Sequence, residues 1–340
     1  MDNRICPFPH SKEKERNQKV VSLIIWIISL SIVMWTHFDS ANAQGKIVSQ
    51  SELMMASPNR LLEIYDATTQ PTELNAIVEA ILAKRESSLP ALRQILMTGT
   101  EKQKLLSLSL LIEMRDKRSG DILIKSLKDK DLKVQRRTAY ALGYFKHEGA
   151  YGPLVAMLET IQDLGVIKSI LAGLGMLGRA EAIPIIRPWL NHSDSSIRVN
   201  AAISLATMGS DEGLFEVIRA SMSEDNQTRR EGTFGLGFFK DNRAVSRLRE
   251  IIADPKAPWQ TEAHIALLRI DLSKKVSQER LDLLQENLGY PNIAVRKWVI
   301  DEISELGTPE AIKVLRSVAD KQTQEGKQAK RKLLALGFSK

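Results

Sequence analysis

The stretch DLKVQRRTAYALGYF at residues 131–145 and the stretch DSSIRVNAAISLATMG at residues 194–209 share one pattern of side chains. Each begins with an aspartate and contains a small, Ala-rich segment that leads into a leucine, Leu142 in the first stretch and Leu205 in the second. Apolar residues three or four positions apart predict an amphipathic helix. An aspartate at the start of such a helix can cap its free N–H groups. The two stretches therefore predict equivalent helices.

The same leucine position returns along most of the chain, usually after 31 or 32 residues. A second series of apolar residues, from Leu96 to Ala319, has nearly the same period. Both series lengthen at one place, which locates a five-residue insertion in residues 271–277. We call the first series the anchor residues. They are Leu111, Leu142, Leu174, Leu205, Leu236, Leu267, Ile303 and Leu334.

A helix pair of about 31 residues cannot bury its apolar face alone, and stacking it on similar neighbours solves that problem. The sequence therefore predicts an all-α protein without substantial β-strand: an α-solenoid, a right-handed superhelix of about eight to nine stacked helix pairs. The solenoid is expected to cover residues 87–338. Residues 44–86 are expected to form a linker and a degenerate capping pair, with helices near residues 58–65 and 72–84. The last pair carries four cations that make it polar enough to close the C-terminal end, namely Lys327, Lys330, Arg331 and Lys332.

Residues 1–43 have the features of an export signal. Five Lys or Arg side chains precede sixteen uncharged residues at 20–35, and Ala41-Asn42-Ala43 follows as a cleavage motif. Sixteen residues are fewer than the roughly 20 that a membrane helix needs, although an uncleaved anchor is the alternative. The expected location is therefore periplasmic or secreted, with no membrane span after cleavage. The single cysteine, Cys6, excludes a disulfide framework.

The pattern D-x-x-[VI]-R-x-x-A-A-x-x-L, written at residues 194–205, resembles the second helix of a HEAT-like repeat. Residues 131–143, 225–237 and 291–307 are similar, and together such units cover nearly all of the chain after residue 43. The short repeat is the form found in phycobilisome-lyase-type HEAT repeat proteins. The resemblance implies a solenoid, and it implies scaffolds, adaptors or chromophore-lyase subunits more often than enzymes. The enzymes of this kind include deoxyhypusine hydroxylase and HEAT-like alkylpurine DNA glycosylases.

Residues suited to catalysis are few. The chain after residue 43 has three histidines, His147, His192 and His264, and one His-Glu pair, at His147-Glu148. The hydroxylase-type members bind their di-iron centre through several such pairs, and a metal site needs several converging ligands. The G-x-G-x-x-G motif at residues 173–178 lies within a predicted helix, where it indicates close helix packing rather than a dinucleotide site. We therefore expect no enzymatic activity, no metal and no cofactor.

The inner face of the solenoid, lined by the second helices, is the predicted binding surface. The net charge of +7 permits an acidic partner. We expect this face to hold an acidic segment of a partner protein, and the residues chosen for it are Arg136, Arg137, Tyr140, Tyr144, Lys168, Arg230, Phe234, Phe238, Lys297 and Trp298.

Three other interpretations stay open at this point. The aromatic residues of the inner face can instead fill the packing between units while its cations are solvated. A HEAT-like lyase or metal-dependent enzyme subunit is a second alternative, and a nucleic-acid-binding array is a third. The recurring arginine of the second helices, as Arg198, Arg229 and Arg296, is expected to pair with the capping aspartates Asp194 and Asp225.

Overall fold

A computed structural model describes residues 49–338 of the chain, which form nineteen α-helices and no β-strand. The predicted all-α class is therefore confirmed for this part of the chain. The predicted export signal lies outside the described residues. Between residues 49 and 338 no helix combines the length and apolar character needed to cross a membrane.

A short helix, α1 (Gln50–Met55), precedes nine helix pairs. The first helices of the pairs are α2 (Pro58–Ala67), α4 (Leu89–Thr98), α6 (Gly120–Ser126), α8 (Tyr151–Leu158), α10 (Ala182–Ile186), α12 (Leu214–Ala220), α14 (Asn242–Ala253), α16 (Ser277–Asn287) and α18 (Pro309–Ala319). The second helices are α3 (Pro71–Lys84), α5 (Glu101–Glu113), α7 (Leu132–Phe145), α9 (Leu164–Leu177), α11 (Ser195–Thr207), α13 (Asn226–Leu236), α15 (Gln260–Ser273), α17 (Ile293–Leu306) and α19 (Gln324–Leu336).

Aspartates begin four of the second helices, as the repeat pattern predicts. Asp131, Asp163, Asp194 and Asp225 each accept hydrogen bonds from backbone N–H groups of the first turn. These bonds satisfy donors that have no partner within the helix. At the other end of α9, Gly178 adopts the left-handed conformation that glycine tolerates best.

The recurring arginine contacts the turn before its helix rather than the capping aspartate. Nη1 of Arg198 donates to the carbonyl oxygens of His192 and Ser193, each at 2.7 Å, and Nε donates to Glu216 at 2.6 Å. The predicted pairing of Arg198 with Asp194 is wrong, because the Asp194 carboxylate accepts hydrogen bonds from the N-terminal turn of its own helix. The arginine therefore holds the turn between the two helices of a pair.

Replacing Arg296 with lysine is expected to lower the free energy of unfolding by about 1–2 kcal/mol. Its guanidinium donates to the carbonyl oxygens of Tyr290 and Pro291, at 2.6 and 2.8 Å, and to Glu325 at 2.7 Å. A lysine ammonium is a compact group that cannot span these acceptors. Urea unfolding measures the loss, with Arg249→Lys at an exposed arginine of α14 as the control. Equal stability of the two variants would refute this role.

Glycines allow the second helices to approach one another closely. A Cβ atom added to Gly143 on α7 would lie 2.5 Å from the Cα of Gly173 on α9. A Cβ at Gly173 would lie 2.7 Å from the carbonyl oxygen of Ala139, and one at Gly175 would lie 2.9 Å from the Cα of Ser204. The helix-packing interpretation of residues 173–178 is therefore confirmed.

The two ends of the array are in contact. Successive second helices pack side by side from α5 to α19, and α19 then packs against α3 and α5. Leu333 of α19 belongs to the apolar core of the C-terminal pairs, whereas Ala335 belongs to the core of the N-terminal pairs. The prediction that the last pair ends the array as a polar cap is wrong, because α19 packs against the first pairs and two of its four cations, Arg331 and Lys332, form ion pairs with Glu113 and Asp301. We call the contact of α19 with α3 and α5 the seam, and the array is a closed ring.

Candidate functional site

A groove of about 670 Å³ lies along the seam, between α3, α5, α17 and α19. Thr72, Lys297 and Gln324 border its outer end, near the N-termini of these helices, and Tyr144 and Leu336 border its inner end. Because an α-helix rises 1.5 Å per residue, the distance along α19 from Gln324 to Leu336 is about 18 Å. The volume falls within the range of about 300–1,000 Å³ that is typical of ligand sites.

A bidentate ion pair joins the last helix, α19, to α5 across the seam. Nε and Nη2 of Arg331 donate to the two carboxylate oxygens of Glu113 at 2.8 and 2.7 Å, although the two residues are 218 positions apart. Burial acts to raise the pKa of Glu113, but the charges of Arg331 and Lys332 outweigh it and hold that pKa below its ordinary value. Glu113 is therefore held as a carboxylate by its cationic neighbours.

A second ion pair crosses the ring at the inner end of the groove. Nη2 of Arg115 lies 3.0 Å from Oε1 of Glu305 and donates to the carbonyl oxygen of Ser304 at 2.9 Å. Arg115 also makes a hydrogen bond with Tyr144. Burial raises the pKa of Glu305 above its ordinary value, and the charge of Arg115 offsets only part of that effect.

Asp301 forms the middle of the groove wall on α17. Its Oδ1 accepts a hydrogen bond from Gln328 at 2.7 Å and lies 3.1 Å from the ammonium of Lys332. Burial raises the pKa of Asp301, and Lys332 and Gln328 offset only part of that effect, while the negative charge of the nearby Glu113 adds to it. Asp301 therefore binds a proton more readily in the folded state than in the unfolded chain.

The raised pKa of Asp301 predicts a pH dependence that Asp301→Asn should remove. The folded wild type binds a proton at Asp301 more readily than the unfolded chain does. Its free energy of unfolding should therefore rise relative to that of Asp301→Asn as the pH falls from about 7 toward 4.5. Asp225→Asn is the control of opposite sign, because backbone hydrogen bonds lower the pKa of Asp225. There the wild-type advantage should stay nearly constant down to about pH 5 and shrink as the pH falls further toward about 3. Urea unfolding of the three proteins at several pH values measures both trends, and parallel curves would contradict the assignment.

Four lysines surround the outer half of the groove, namely Lys297, Lys321, Lys327 and Lys330. Lys297 donates to the side-chain oxygen of Gln324 at 3.0 Å. Between residues 49 and 338 no carboxylate pairs with any of these lysines, whereas Glu113, Asp301 and Glu305 of the groove wall all have cationic partners. The outer end of the groove is therefore positively charged.

Three of the residues predicted for binding lie in the interior of the ring on α7. Tyr140 and Tyr144 each expose 8% of their surface, and burial raises the pKa of both phenols. Arg137 is half-buried and donates to Oγ of Ser109 on α5 at 2.6 Å. The closed ring thus covers much of the surface that an open superhelix would present.

Three more of the predicted residues surround a buried arginine. The Arg269 guanidinium lies 4.9 Å from the ring centre of Phe234, 4.8 Å from that of Phe238 and 5.8 Å from that of Trp298. Trp298 is only 1% exposed, so its ring is part of the core. Burial lowers the pKa of Arg269 to about 10. This group therefore fills the interior of the ring between α13, α15 and α17.

The remaining predicted residues are more accessible. Lys168 lies 3.3 Å from Glu231, and Arg230 lies 3.1 Å from Glu262 and over the ring of Trp259. Arg136 is exposed. Of the ten predicted residues, the structure places only Lys297 and Tyr144 in the wall of the groove.

Several charged residues of the groove and of the ring interior lie at two positions of the repeat where the sequence analysis considered only the aromatic residues. Tyr144 and Phe238 lie two residues after their anchor residues, and Glu113, Arg269 and Glu305 lie two residues after theirs. The position two residues before the anchor is Tyr140 or Phe234 in the middle pairs. In the last two pairs the same position is Asp301 and Lys332. Reading these two positions through every unit would have found Glu113, Asp301, Glu305 and Lys332, but not Arg115 and Arg331, which lie at other distances from their anchor residues.

The histidines have local partners. Nε2 of His147 lies 3.3 Å from Asp121, and Nδ1 of His192 accepts a hydrogen bond from the backbone N–H of Asp194. His264 packs against the ring of Tyr290, and burial lowers its pKa. In the part of the chain that the structure describes, His, Asp and Glu side chains form no group of three or more placed to hold a metal ion.

Comparison with known proteins gives one family match. Residues 120–203 match the model of the HEAT repeats family. Comparison with curated proteins gave no match.

Two solved structures are similar in part. A chain of the complex of CpcE and CpcF of phycocyanin lyase from Nostoc sp. PCC7120 is 18% identical, with a TM-score of 0.49, over 74% of this chain and 97% of that one. Human deoxyhypusine hydroxylase in complex with glycerol is 16% identical, with a TM-score of 0.35, over the same shares of the two chains.

The family match covers part of the array, and the helix pairs continue on both sides of it with the same period and the same anchor residues. The expected resemblance to HEAT-like repeats is confirmed. Residues 120–203 therefore form HEAT repeats, and the described part of the chain is an α-solenoid of stacked helix pairs.

Proposed function

We propose that this protein is a non-catalytic interaction protein of the cell envelope that binds an acidic segment of a partner protein in the groove at the seam. The observation that carries the proposal is the charge of the groove. Its outer half is bordered by four lysines without carboxylate partners among residues 49–338. Three of the four carboxylates of its wall, Glu113, Asp301 and Glu305, are paired with Arg331, Lys332 and Arg115, and Glu79 is the fourth, so cations outnumber carboxylates in the wall. Complementary charge of this kind favours association with acidic chains.

The groove replaces the open inner face as the binding surface. Tyr140 and Trp298 are buried inside the closed ring, so a partner cannot reach them without separating the helices. The groove, in contrast, is open at the surface and is large enough for several residues of an extended chain. Lys297, which was chosen from the sequence, is part of it.

The location in the cell envelope rests on the sequence of residues 1–43. Fractionation of cells, followed by N-terminal sequencing of the purified protein, tests it. The proposal expects the protein outside the cytoplasm with Gln44 as its first residue. A cytoplasmic protein that begins at Met1 would contradict the location and leave the groove unaffected.

Reversing the charge of the outer lysines is expected to weaken binding of a glutamate-rich peptide at least tenfold. The variant is Lys321→Glu, Lys327→Glu and Lys330→Glu together, and fluorescence polarisation with a labelled synthetic peptide measures the affinity. The matched control reverses Lys240, Lys256 and Lys275, which are exposed elsewhere on the ring, and changes the net charge by the same amount. If both variants lose the same affinity, the attraction comes from overall charge and the proposed site is wrong.

A further inference from the structure

Beyond the outer lysines, the groove wall holds more carboxylates than cations. Among the described residues that line this part, the carboxylates are Glu79, Glu113, Asp301 and Glu305, and the cations are Arg115, Arg331 and Lys332. Nearby like charges favour the protonated form of a carboxylic acid. One carboxylate of this cluster is therefore placed to take up a proton.

Asp301 has a free oxygen atom for that proton. The side chain is buried, with 1% of its residue surface exposed. Oδ1 accepts a hydrogen bond from Gln328 and lies beside Lys332, whereas Oδ2 has no hydrogen-bond partner between residues 49 and 338. Both oxygens of Glu113, in contrast, accept hydrogen bonds from Arg331. A proton on Oδ2 of Asp301 therefore breaks no existing contact.

The charges around Asp301 compensate it only in part. Lys332 is at contact distance, and the next cation on α19 is Arg331, which is paired with Glu113. Glu113 on α5 and Glu305, one turn later on α17, add negative charge to these surroundings.

The other helices that pack against α17 were also compared. The buried residues of α18 are apolar. α15 carries the buried Arg269, which lies beside Trp298 and interacts with the charge of Glu302, and α16 carries the buried Arg280. Lys332 is therefore the cation that decides the charge state of Asp301.

Asp301 is also close to the outer end of the groove. Lys297, one of the four outer lysines, precedes Asp301 by four residues, or about 6 Å along the axis of α17. The side-chain amide of Gln328 donates both to the carbonyl oxygen of Lys297, at 3.0 Å, and to Oδ1 of Asp301. An acidic segment held at Lys297 therefore brings negative charge near Asp301, and charges in a partly buried site are screened less than exposed ones.

We propose that binding of the acidic segment is coupled to uptake of a proton from solvent by Oδ2 of Asp301, so that the groove binds more tightly as the pH falls below 7. This inference rests on the proposed binding of an acidic segment and adds a pH dependence to it. Protonation removes a negative charge from the wall and leaves more of the positive charge of Lys332 to attract the segment. Burial, which raises the pKa of Asp301, moves this step toward neutral pH.

Isothermal titration calorimetry of the purified protein with a glutamate-rich peptide measures the coupling. Titrations at pH 6.5 in two buffers with different heats of ionisation give the number of protons taken up per bound peptide. The glutamates of the peptide are already ionised at this pH, so they add little to that number. We expect an uptake of about half a proton, which corresponds to an affinity that rises about threefold for each unit by which the pH falls. Binding without proton uptake would refute the coupling and leave the proposed function standing.

Asp301→Asn is the matched variant, because asparagine keeps an oxygen for Gln328 and Lys332 but cannot take up the proton. It should show no uptake and bind the peptide about threefold more tightly than the wild type at pH 7, and this difference should shrink as the pH falls toward about 5.5. Asp225→Asn, at the start of α13 and outside the groove, is the control and should keep the uptake of the wild type. If Asp301→Asn takes up as many protons as the wild type, the assignment to Asp301 is wrong. If no peptide binds at any pH, the proposed function is wrong as well.

Discussion

Replacing Gly143 with alanine is expected to lower the free energy of unfolding by about 3 kcal/mol, at the upper end of what overpacking costs. The new Cβ would lie 2.5 Å from the Cα and 2.6 Å from the carbonyl oxygen of Gly173. Both are backbone atoms of a neighbouring helix and cannot move aside as a flexible side chain does, so α7 and α9 must separate. Separation exposes apolar surface on two of the most deeply buried helices.

Gly152→Ala is the matched control for this prediction. Gly152 lies in α8, and a Cβ added there meets no atom within 4 Å. Alanine is a better helix former than glycine, so this variant should gain about 0.5–1 kcal/mol. Urea unfolding followed by circular dichroism measures both variants. A Gly143→Ala protein as stable as the wild type would mean that α7 and α9 are not in backbone contact.

Replacing Arg331 with methionine is expected to cost about 3 kcal/mol of stability and to loosen the seam. The change leaves the Glu113 carboxylate, whose side chain is only 10% exposed, without its two-pronged partner. An uncompensated buried charge accounts for most of the cost, so adding Glu113→Gln to the same protein should recover part of the loss. Hydrogen exchange should show faster exchange in α3 and α19 of the single variant.

The control for the seam variant is Arg60→Met. Arg60 pairs with Glu63 on α2, and both side chains are more than 60% exposed. Exposed ion pairs contribute less than about 1 kcal/mol. If Arg331→Met costs no more than Arg60→Met, or if Glu113→Gln brings no recovery, then the ion pair does not hold the seam.

Much of the fold was predictable because each helix pair repeats the same local requirements. The capping aspartates, the anchor residues and the glycines at helix ends each serve one unit or two neighbouring ones, so their period predicts the stack. Leu142 and Leu205, for example, are both fully buried as the period requires. Packing between neighbours was thus within reach of the sequence.

Closure of the ring was not predictable from the period. A small change in rotation between successive pairs adds up over nine pairs, and it decides whether α19 reaches α3 or passes it. The sequence carried a weaker signal, since Glu113 and Glu305 replace apolar or aromatic residues at inward-facing positions. Carboxylates there require cationic partners, which Arg331 and Arg115 supply from distant parts of the chain.

The distance between α3 and α19 tests the closed ring most directly. Spin labels on cysteines introduced at Asn75 and Lys327, in a chain that also carries Cys6→Ser, report that distance by pulsed electron resonance. The closed ring predicts one narrow, short distance, since packed helices have axes about 8–10 Å apart. A broad distribution centred several helix diameters away would show an open superhelix, and the groove at the seam would then not exist.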